Sequence, residues 1–165
     1  MSRSADAALR PAAETAIAGR FAGGVFIFPL RVYYEDTDAA GIVYYANYLK
    51  FIERARTEMM RAAGIEHSRM RQAHGVMFIV RRCTLDYRQS ARLDDALEIH
   101  TRIVDLKRAS LEAEQSVLRD GEILVHAELR LACINQEGSA TRFPPDLRAA
   151  LEALRQGSRQ AGTGF

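Results

Sequence analysis

The clearest pattern along the chain is a stretch at about residues 46–63 whose apolar residues recur at the helical period. Tyr48, Phe51, Ile52, Ala55, Met59, Ala62 and Ala63 share one broad face, and Lys50, Glu53, Arg54, Thr57, Glu58 and Arg61 share the other. Arg54 and Glu58 are four apart and form a weak surface pair on such a helix. Gly64 is placed to end it. Upstream, "VFIFPLRVYYE" (25–35) is apolar and aromatic enough for a strand, with Pro29 marking its start or an edge position. Downstream, residues 65–75 read as a polar loop, after which four segments carry strand patterns. "VMFIVRRCTLDYRQ" (76–89) is rich in β-formers. "ALEIHTRIVDL" (96–106) alternates, with Leu97, Ile99, Thr101 and Ile103 on one face. "SLEAEQSVLRD" (110–120) alternates through Leu111, Ala113, Gln115 and Val117, and "EILVHAELRLACIN" (122–135) through Ile123, Val125, Ala127, Leu129, Leu131 and Cys133. Asp120-Gly121 joins the last two as a two-residue hairpin, so the meander is antiparallel. "PPDLRAALEALRQ" (144–156) opens on prolines suited to a helix start.

A wide apolar helix face must lie against something large, and the strands supply it. The expectation is an α+β domain, one long helix against a curved antiparallel sheet, over residues 25–156. Residues 1–24, rich in Ala, Ser and Arg and without an apolar stretch of signal-peptide length, are expected to be a flexible extension. Residues 157–165 are expected to be a frayed tail.

A length of 165 residues suits one domain with a real core. The net charge of +2, with basic residues interleaved among acids, argues against a nucleic-acid partner. No apolar run approaches the ~18 residues a transmembrane helix needs. Cys83 and Cys133 lie in strand-like segments and read as buried thiols of a reducing compartment. Neither belongs to a metal-ligand spacing and the four histidines are scattered, so no metal site is expected.

Candidate chemistry lies in "RVYYEDTDAAGIVYYANYLKFIERARTE" (31–58). Glu35, Asp36 and Asp38 fall within four residues, just before the long helix. A helix N-terminus offers unpaired N–H groups and partial positive charge. Such donors can take a side-chain cap, an anion, or a carbonyl oxygen that becomes an oxyanion. A carboxylate within reach could then attack that carbonyl or activate a water. Asp38 is the candidate, across a loop that Gly41 allows to turn back; Glu35 and Asp36 read as loop and capping residues.

The same stretch resembles the signature of the hotdog-fold acyl-CoA thioesterases of the 4-hydroxybenzoyl-CoA thioesterase class. The nearest likeness is to the YbgC-like branch associated with the Tol-Pal cell-envelope system. The acid, the glycine turn, the aromatic pair, the Asn-Tyr and the Glu-Arg-Ala-Arg helix occur in order, and "ARLDDALEIHTRI" resembles that branch too. The likeness covers roughly residues 28–150.

It implies a hotdog fold in which a five-stranded antiparallel sheet wraps the long helix. It implies a cytoplasmic enzyme, without metal or redox cofactor, that hydrolyses acyl-CoA to a free acid and CoA. Asp38 matches the catalytic carboxylate, and Tyr45 the position whose backbone N–H polarises the thioester carbonyl. Gly41 falls in the substrate-binding turn. Lys107, Arg108 and Ser110 match positions near which basic residues hold the phosphates of CoA, and Lys and Arg suit phosphate. Partners implied are acyl-CoA, acyl carrier protein as another carrier, and further copies of the chain in an edge-to-edge dimer or a tetramer. The branch commonly carries "VYHASY" where this chain has "VYYANY". A backbone donor survives that change, whereas a mechanism needing an imidazole there does not. The rival functions are a non-catalytic acyl-binding or scaffold protein of the envelope machinery, a globular domain whose acids are only caps, and a hotdog dehydratase. A dehydratase needs a histidine paired with an acid near the helix, and none is suitably placed.

Outside this stretch, Arg56 at the margin of the apolar helix face is expected to anchor the helix by hydrogen bonds. Arg81 and Arg82 interrupt an apolar strand and read first as edge charges that discourage aggregation. His74, beside Gly75, is a candidate for lining an acyl tunnel.

Overall fold

The computed structural model describes residues 19–160, with side chains described to residue 157. The order is β1 (Arg20–Ala22), β2 (Val25–Arg31), a 3-10 turn (Tyr34–Asp36), α1 (Asn47–Ala62), α2 (His67–His74), β3 (Met77–Tyr87), β4 (Ala96–Leu106), β5 (Ser110–Arg119), β6 (Glu122–Ile134) and α3 (Pro145–Gln160). One antiparallel sheet runs β1-β2-β4-β5-β6-β3. Its inner face wraps α1, which packs on β2, β4 and β5, while α3 packs on β4.

Period-2 patterning explains why the expected strands form. Leu97, Ile99, Thr101 and Ile103 are all buried on the face toward α1. Register shifts at Val80/Arg82, Ile103/Asp105 and Val117/Leu118 each insert a bulge. Bulges bend strands and increase twist, which lets a flat ladder curve around a helix. Leu124 is the extra residue opposite the last shift and is fully buried, although simple alternation puts it on the outer face.

Several boundaries differ from the sequence reading. The sheet has six strands, not five. The added strand is β1, inside the stretch assigned to the extension; residues 1–18 of that stretch lie outside the described residues. Gly23 and Gly24 both have positive φ, which closes a tight two-residue hairpin from β1 to β2. The first expected strand stops at Arg31, and Tyr34–Asp36 turn as a 3-10 segment. Pro29 pairs with Glu98 of β4 and sits beyond the reach of β1, so β2 has an unpaired side at that level. The 65–75 loop contains α2, whose single buried residue is Met70. α3 continues to Gln160, past the expected start of the tail.

The helix is held by a buried polar junction. Arg56, lying 5% exposed, donates from Nη1 to Gln115 Oε1 at 3.1 Å. Gln115 Nε2 donates to the Ile52 carbonyl at 2.8 Å and to Thr101 Oγ1 at 2.9 Å. Arg56 also pairs with Glu53, and Glu58 pairs with Arg61 rather than with Arg54. Burial lowers the Arg56 pKa to about 10, so it stays charged at neutral pH. Arg56 thus anchors the helix as its position implied. Because the junction is closed, Gln115→Ala removes the partner shared by Arg56 Nη1, the Ile52 carbonyl and the Thr101 hydroxyl, and leaves Arg56 with Glu53 alone. It should destabilise the domain by roughly 3 kcal/mol, above the ~1 kcal/mol typical of point changes. Urea denaturation measures it; a change within 0.5 kcal/mol would show that the junction carries little.

Candidate active site

The site begins where β2 gives way to the acid loop. Asp36 is buried and takes the Tyr33 N–H on Oδ2 at 2.8 Å. Its carbonyl accepts from Tyr44 N–H and Asn47 Nδ2, both at 2.9 Å. Asp36 therefore organises the loop and caps the 3-10 turn, a loop and capping role as read from sequence, although it does not cap α1. Glu35 is exposed.

Asp38 lies at the base of a tight hairpin. Its N–H donates to the Ile42 carbonyl and its own carbonyl accepts from Gly41 N–H, both at 2.9 Å. Gly41 has φ +74°, a left-handed value that side chains disfavour, and nothing lies within 4 Å of where a Cβ would stand. Its evident work is the turn. Asp38 Oδ1 accepts from Ala40 N–H at 2.8 Å, an Asx turn. Asp38 Oδ2 has no hydrogen-bond partner among the described residues, and the side chain is exposed.

Across the loop, α1 starts without a side-chain cap: its N-cap is Ala46. Among the described residues the Tyr45 N–H donates no hydrogen bond. An uncapped N-terminus with a free donor is what carbonyl polarisation needs. Asp38 and Tyr45 line one open cleft of about 260 Å³ with Val43, Tyr48, Tyr87 and Ser90.

The wall facing Asp38 comes from residues 88–95, which sequence reading missed. Val43 N–H donates to the Ala91 carbonyl, and Ala91 N–H donates to Tyr48 Oη, both at 2.9 Å. Tyr87 Oη donates to the Tyr45 carbonyl at 3.0 Å. Burial pushes the Tyr48 and Tyr87 phenols up, so both are protonated at neutral pH and neither is a base. Asp95 ties the wall down: Oδ2 accepts from Arg92 N–H at 2.8 Å and Arg119 Nη1 at 2.6 Å. The signal for this was the Asp-Asp of "ARLDDALEIH", whose partner Arg119 is remote in sequence.

The remaining candidates lie elsewhere. Lys107, Arg108 and Ser110 form the β4–β5 hairpin, where Lys107 pairs with Glu112 at 3.4 Å. Ser110 aligns through Ala132 with Ile79, whereas the cleft adjoins Tyr87. Eight strand residues separate these levels, about 26 Å. One chain does not bring the two groups together. His74 pairs with Asp146 at 2.9 Å between α2 and α3, which removes it from the cleft. Cys83 and Cys133 are free thiols, Cys133 buried and Cys83 partly so. No metal-holding cluster of three acids, histidines or cysteines occurs among the described residues. No helix among them is long and apolar enough to cross a membrane.

A curved antiparallel sheet wrapped around a central helix is the hotdog architecture. Residues 32–151 match the family described as the thioesterase-like superfamily, and the chain belongs to that family. It is 38% identical over 131 residues to the acyl-CoA thioesterase YbgC of Haemophilus influenzae, covering 79% of this chain and 96% of that one. It is 44% identical over 112 residues to the acyl-CoA thioester hydrolase YbgC of Escherichia coli O6:H1, covering 67% and 83%. Among solved structures, a probable thioesterase from Bartonella henselae superposes with TM-score 0.69 at 38% identity, over 73% of this chain and 99% of that one. The hotdog fold and the thioesterase class implied by the sequence are those found.

The clamp has a testable pH signature. Burial alone would raise the Asp95 pKa, but the Arg92 N–H and Arg119 outweigh it and hold it below its usual 3.8. A carboxylate with a depressed folded pKa contributes stability above its unfolded pKa and loses it as pH falls through the folded value. Wild type should be more stable than Asp95→Asn at pH 6, and the gap should close as pH falls below 3.8. Denaturation midpoints at the two pH values check this; a gap that does not change with pH would remove the charge from the account.

Proposed function

We propose that this chain hydrolyses acyl-CoA thioesters to a carboxylic acid and CoA, with Asp38 and the Tyr45 N–H as the catalytic groups. The observation that carries this reading is that Asp38, whose Oδ2 has no partner among the described residues, and Tyr45, beside the uncapped start of α1, line one cleft. The thioester carbonyl oxygen accepts from the Tyr45 N–H, and negative charge developing there is stabilised by the helix end. Asp38 then acts in one of two ways. As a nucleophile, Oδ2 bonds to the acyl carbon, the C–S bond breaks, and the CoA thiolate leaves and takes a proton from water. Water next cleaves the mixed anhydride. As a general base, Asp38 takes a proton from water, whose oxygen adds to the carbon before the thiolate departs. The tyrosine at position 45 supports a route that needs only its backbone donor.

Gly41 shapes the turn that admits the thioester, and Lys107, Arg108 and Ser110 hold the phosphates of CoA, or of an acyl carrier protein's prosthetic arm. These residues would serve a cleft on another copy of the chain. Among the described residues β3 is a free sheet edge of eleven residues, and its inward-facing Val80 is 46% exposed. Long apolar edges favour pairing with another strand. Two β3 edges paired antiparallel reverse direction, so one copy's Ser110 end lies toward its partner's Tyr87 end. A cleft of about 260 Å³ is also smaller than the roughly 300–1,000 Å³ of typical small-molecule sites, as expected if a second subunit completes it.

Asp38→Asn should lower kcat by about 10²–10⁴-fold with KM little changed. Steady-state hydrolysis over a panel of acyl-CoA chain lengths and aryl thioesters checks this. Full activity in the variant sinks the role of Asp38, and no wild-type hydrolysis on the panel favours a non-catalytic acyl-binding protein. Single-turnover hydrolysis in labelled water separates the two routes, since label in the Asp38 carboxylate appears only on the nucleophilic one. Val80→Lys should shift the sedimentation profile to monomer and reduce activity with it; an unchanged profile rules out pairing through β3.

A further inference from the structure

Tyr48 is 2% exposed, and its hydroxyl has one proton to donate. The oxygen accepts from the Ala91 N–H at 2.9 Å. Among the described residues the proton has no acceptor. Burial raises the phenol's pKa, so that proton is present at neutral pH. Polar groups buried this deeply are normally satisfied by protein or by ordered water. The other side-chain donors around the Asp38 cleft are accounted for. Tyr87 Oη donates to the Tyr45 carbonyl, Arg88 pairs with Asp86, and Gln89 reaches Glu122. Ser90 is exposed, so bulk water serves its hydroxyl. Of the side chains lining the cleft, Tyr48 alone combines burial with an unused donor.

The hydroxyl is also tied to the acid hairpin. Ala91, whose N–H it accepts, takes the Val43 N–H on its carbonyl at 2.9 Å. Val43 follows Ile42, whose carbonyl accepts the Asp38 N–H at 2.9 Å. Accepting from Ala91 polarises the phenol and strengthens it as a donor. A tyrosine that only braced Ala91 and packed on Phe51 and Tyr87 would have no reason to leave its proton free. Asp38 Oδ2 shows the complementary lack, an acceptor without a donor among the described residues. One water answers both, since ordered waters at polar sites make about two to four hydrogen bonds.

We propose that the Tyr48 hydroxyl holds the attacking water against Asp38. The inference rests on the proposed thioesterase reaction and gives Asp38 the general-base role within it. The water accepts from Tyr48 Oη–H and donates to Asp38 Oδ2, and a remaining lone pair adds to the acyl carbon. Asp38 takes the water proton as the C–O bond forms and the carbonyl π pair moves onto oxygen. That pair returns as the C–S bond breaks, and the departing thiolate takes the proton from Asp38. Tyr48 keeps its own proton throughout.

The test is acyl-CoA hydrolysis by the full chain with methanol present as a competing nucleophile. It compares wild type with Tyr48→Phe, which keeps the ring and removes the hydroxyl, and thermal melting checks the variant's fold. Free acid and methyl ester are both quantified. Wild type should yield acid almost alone, because a held water excludes the bulkier alcohol. Tyr48→Phe should lower kcat by roughly tenfold to a hundredfold with KM within about twofold, and raise the ester-to-acid ratio by about tenfold. A tyrosine that only braces Ala91 gives both products falling together at an unchanged ratio, and that result overturns the proposal. Methyl ester formed by wild type in proportion to methanol overturns it whether or not the variant folds. So does oxygen from labelled water in the Asp38 carboxylate, since the carboxylate itself would then have reached the acyl carbon. A wild type that hydrolyses no thioester removes the thioesterase reading and this inference with it. An active, Asp38-dependent wild type whose ratio is unmoved by Tyr48→Phe removes this inference alone.

Discussion

The buried junction of Arg56, Gln115, Thr101 and the Ile52 carbonyl decides where α1 lies on the sheet. Apolar burial of Phe51, Ile52, Ala55 and Met59 drives the helix onto the strands, but such contact is non-directional and tolerates sliding. Hydrogen bonds with defined partners do not. A displaced helix would take Arg56 and the Ile52 carbonyl away from Gln115 and leave buried polar groups short of partners, a cost of several kcal/mol. The register of α1 against β4 and β5 is therefore specified, and with it the position of the helix's first N–H groups.

That placement explains how an unfilled helix end persists. An N-cap side chain commonly adds ~1 kcal/mol, and Ala46 supplies none. The N-terminus is held from outside instead, by Asn47 on the Asp36 carbonyl, Tyr87 on the Tyr45 carbonyl, and the Tyr48 hydroxyl beneath Ala91. The same contacts fasten the 88–95 wall to the acid loop, and the Asp95–Arg119 pair anchors that wall to the end of β5. The Tyr45 donor is kept free by its neighbours rather than by any property of the helix itself.

Much of the fold was legible because burial imposes a period. The faces of β4, β5 and β6 and the inward side of α1 follow directly from alternation and from the helical repeat. The legible part of the candidate site was equally local: Asp38, Gly41 and Tyr45 occur within eight residues, in the loop that leads into α1. Elements without a period were missed. β1 is three residues long with every residue exposed, so no apolar pattern marked it. α2 buries Met70 alone and reads as polar loop. Bulges were invisible because one inserted residue leaves composition unchanged while reversing the side of the sheet each neighbour faces.

The sequence by itself determined the α+β architecture, the antiparallel meander and the family, and it singled out one acid among three. Those depend on short-range periodicity and on a compact motif, which a single chain displays in order. Only the tertiary structure decided which groups are unsatisfied. Asp36 became a loop organiser, Asp38 kept one open oxygen, and the Tyr48 hydroxyl kept an unused proton. It also set the basic hairpin about 26 Å from the cleft within one chain. Those outcomes depend on strand register and on partners distant in sequence, such as Arg119 for Asp95 and Gln115 for Arg56. Whether a donor or a charge finds a partner is settled only when the chain packs.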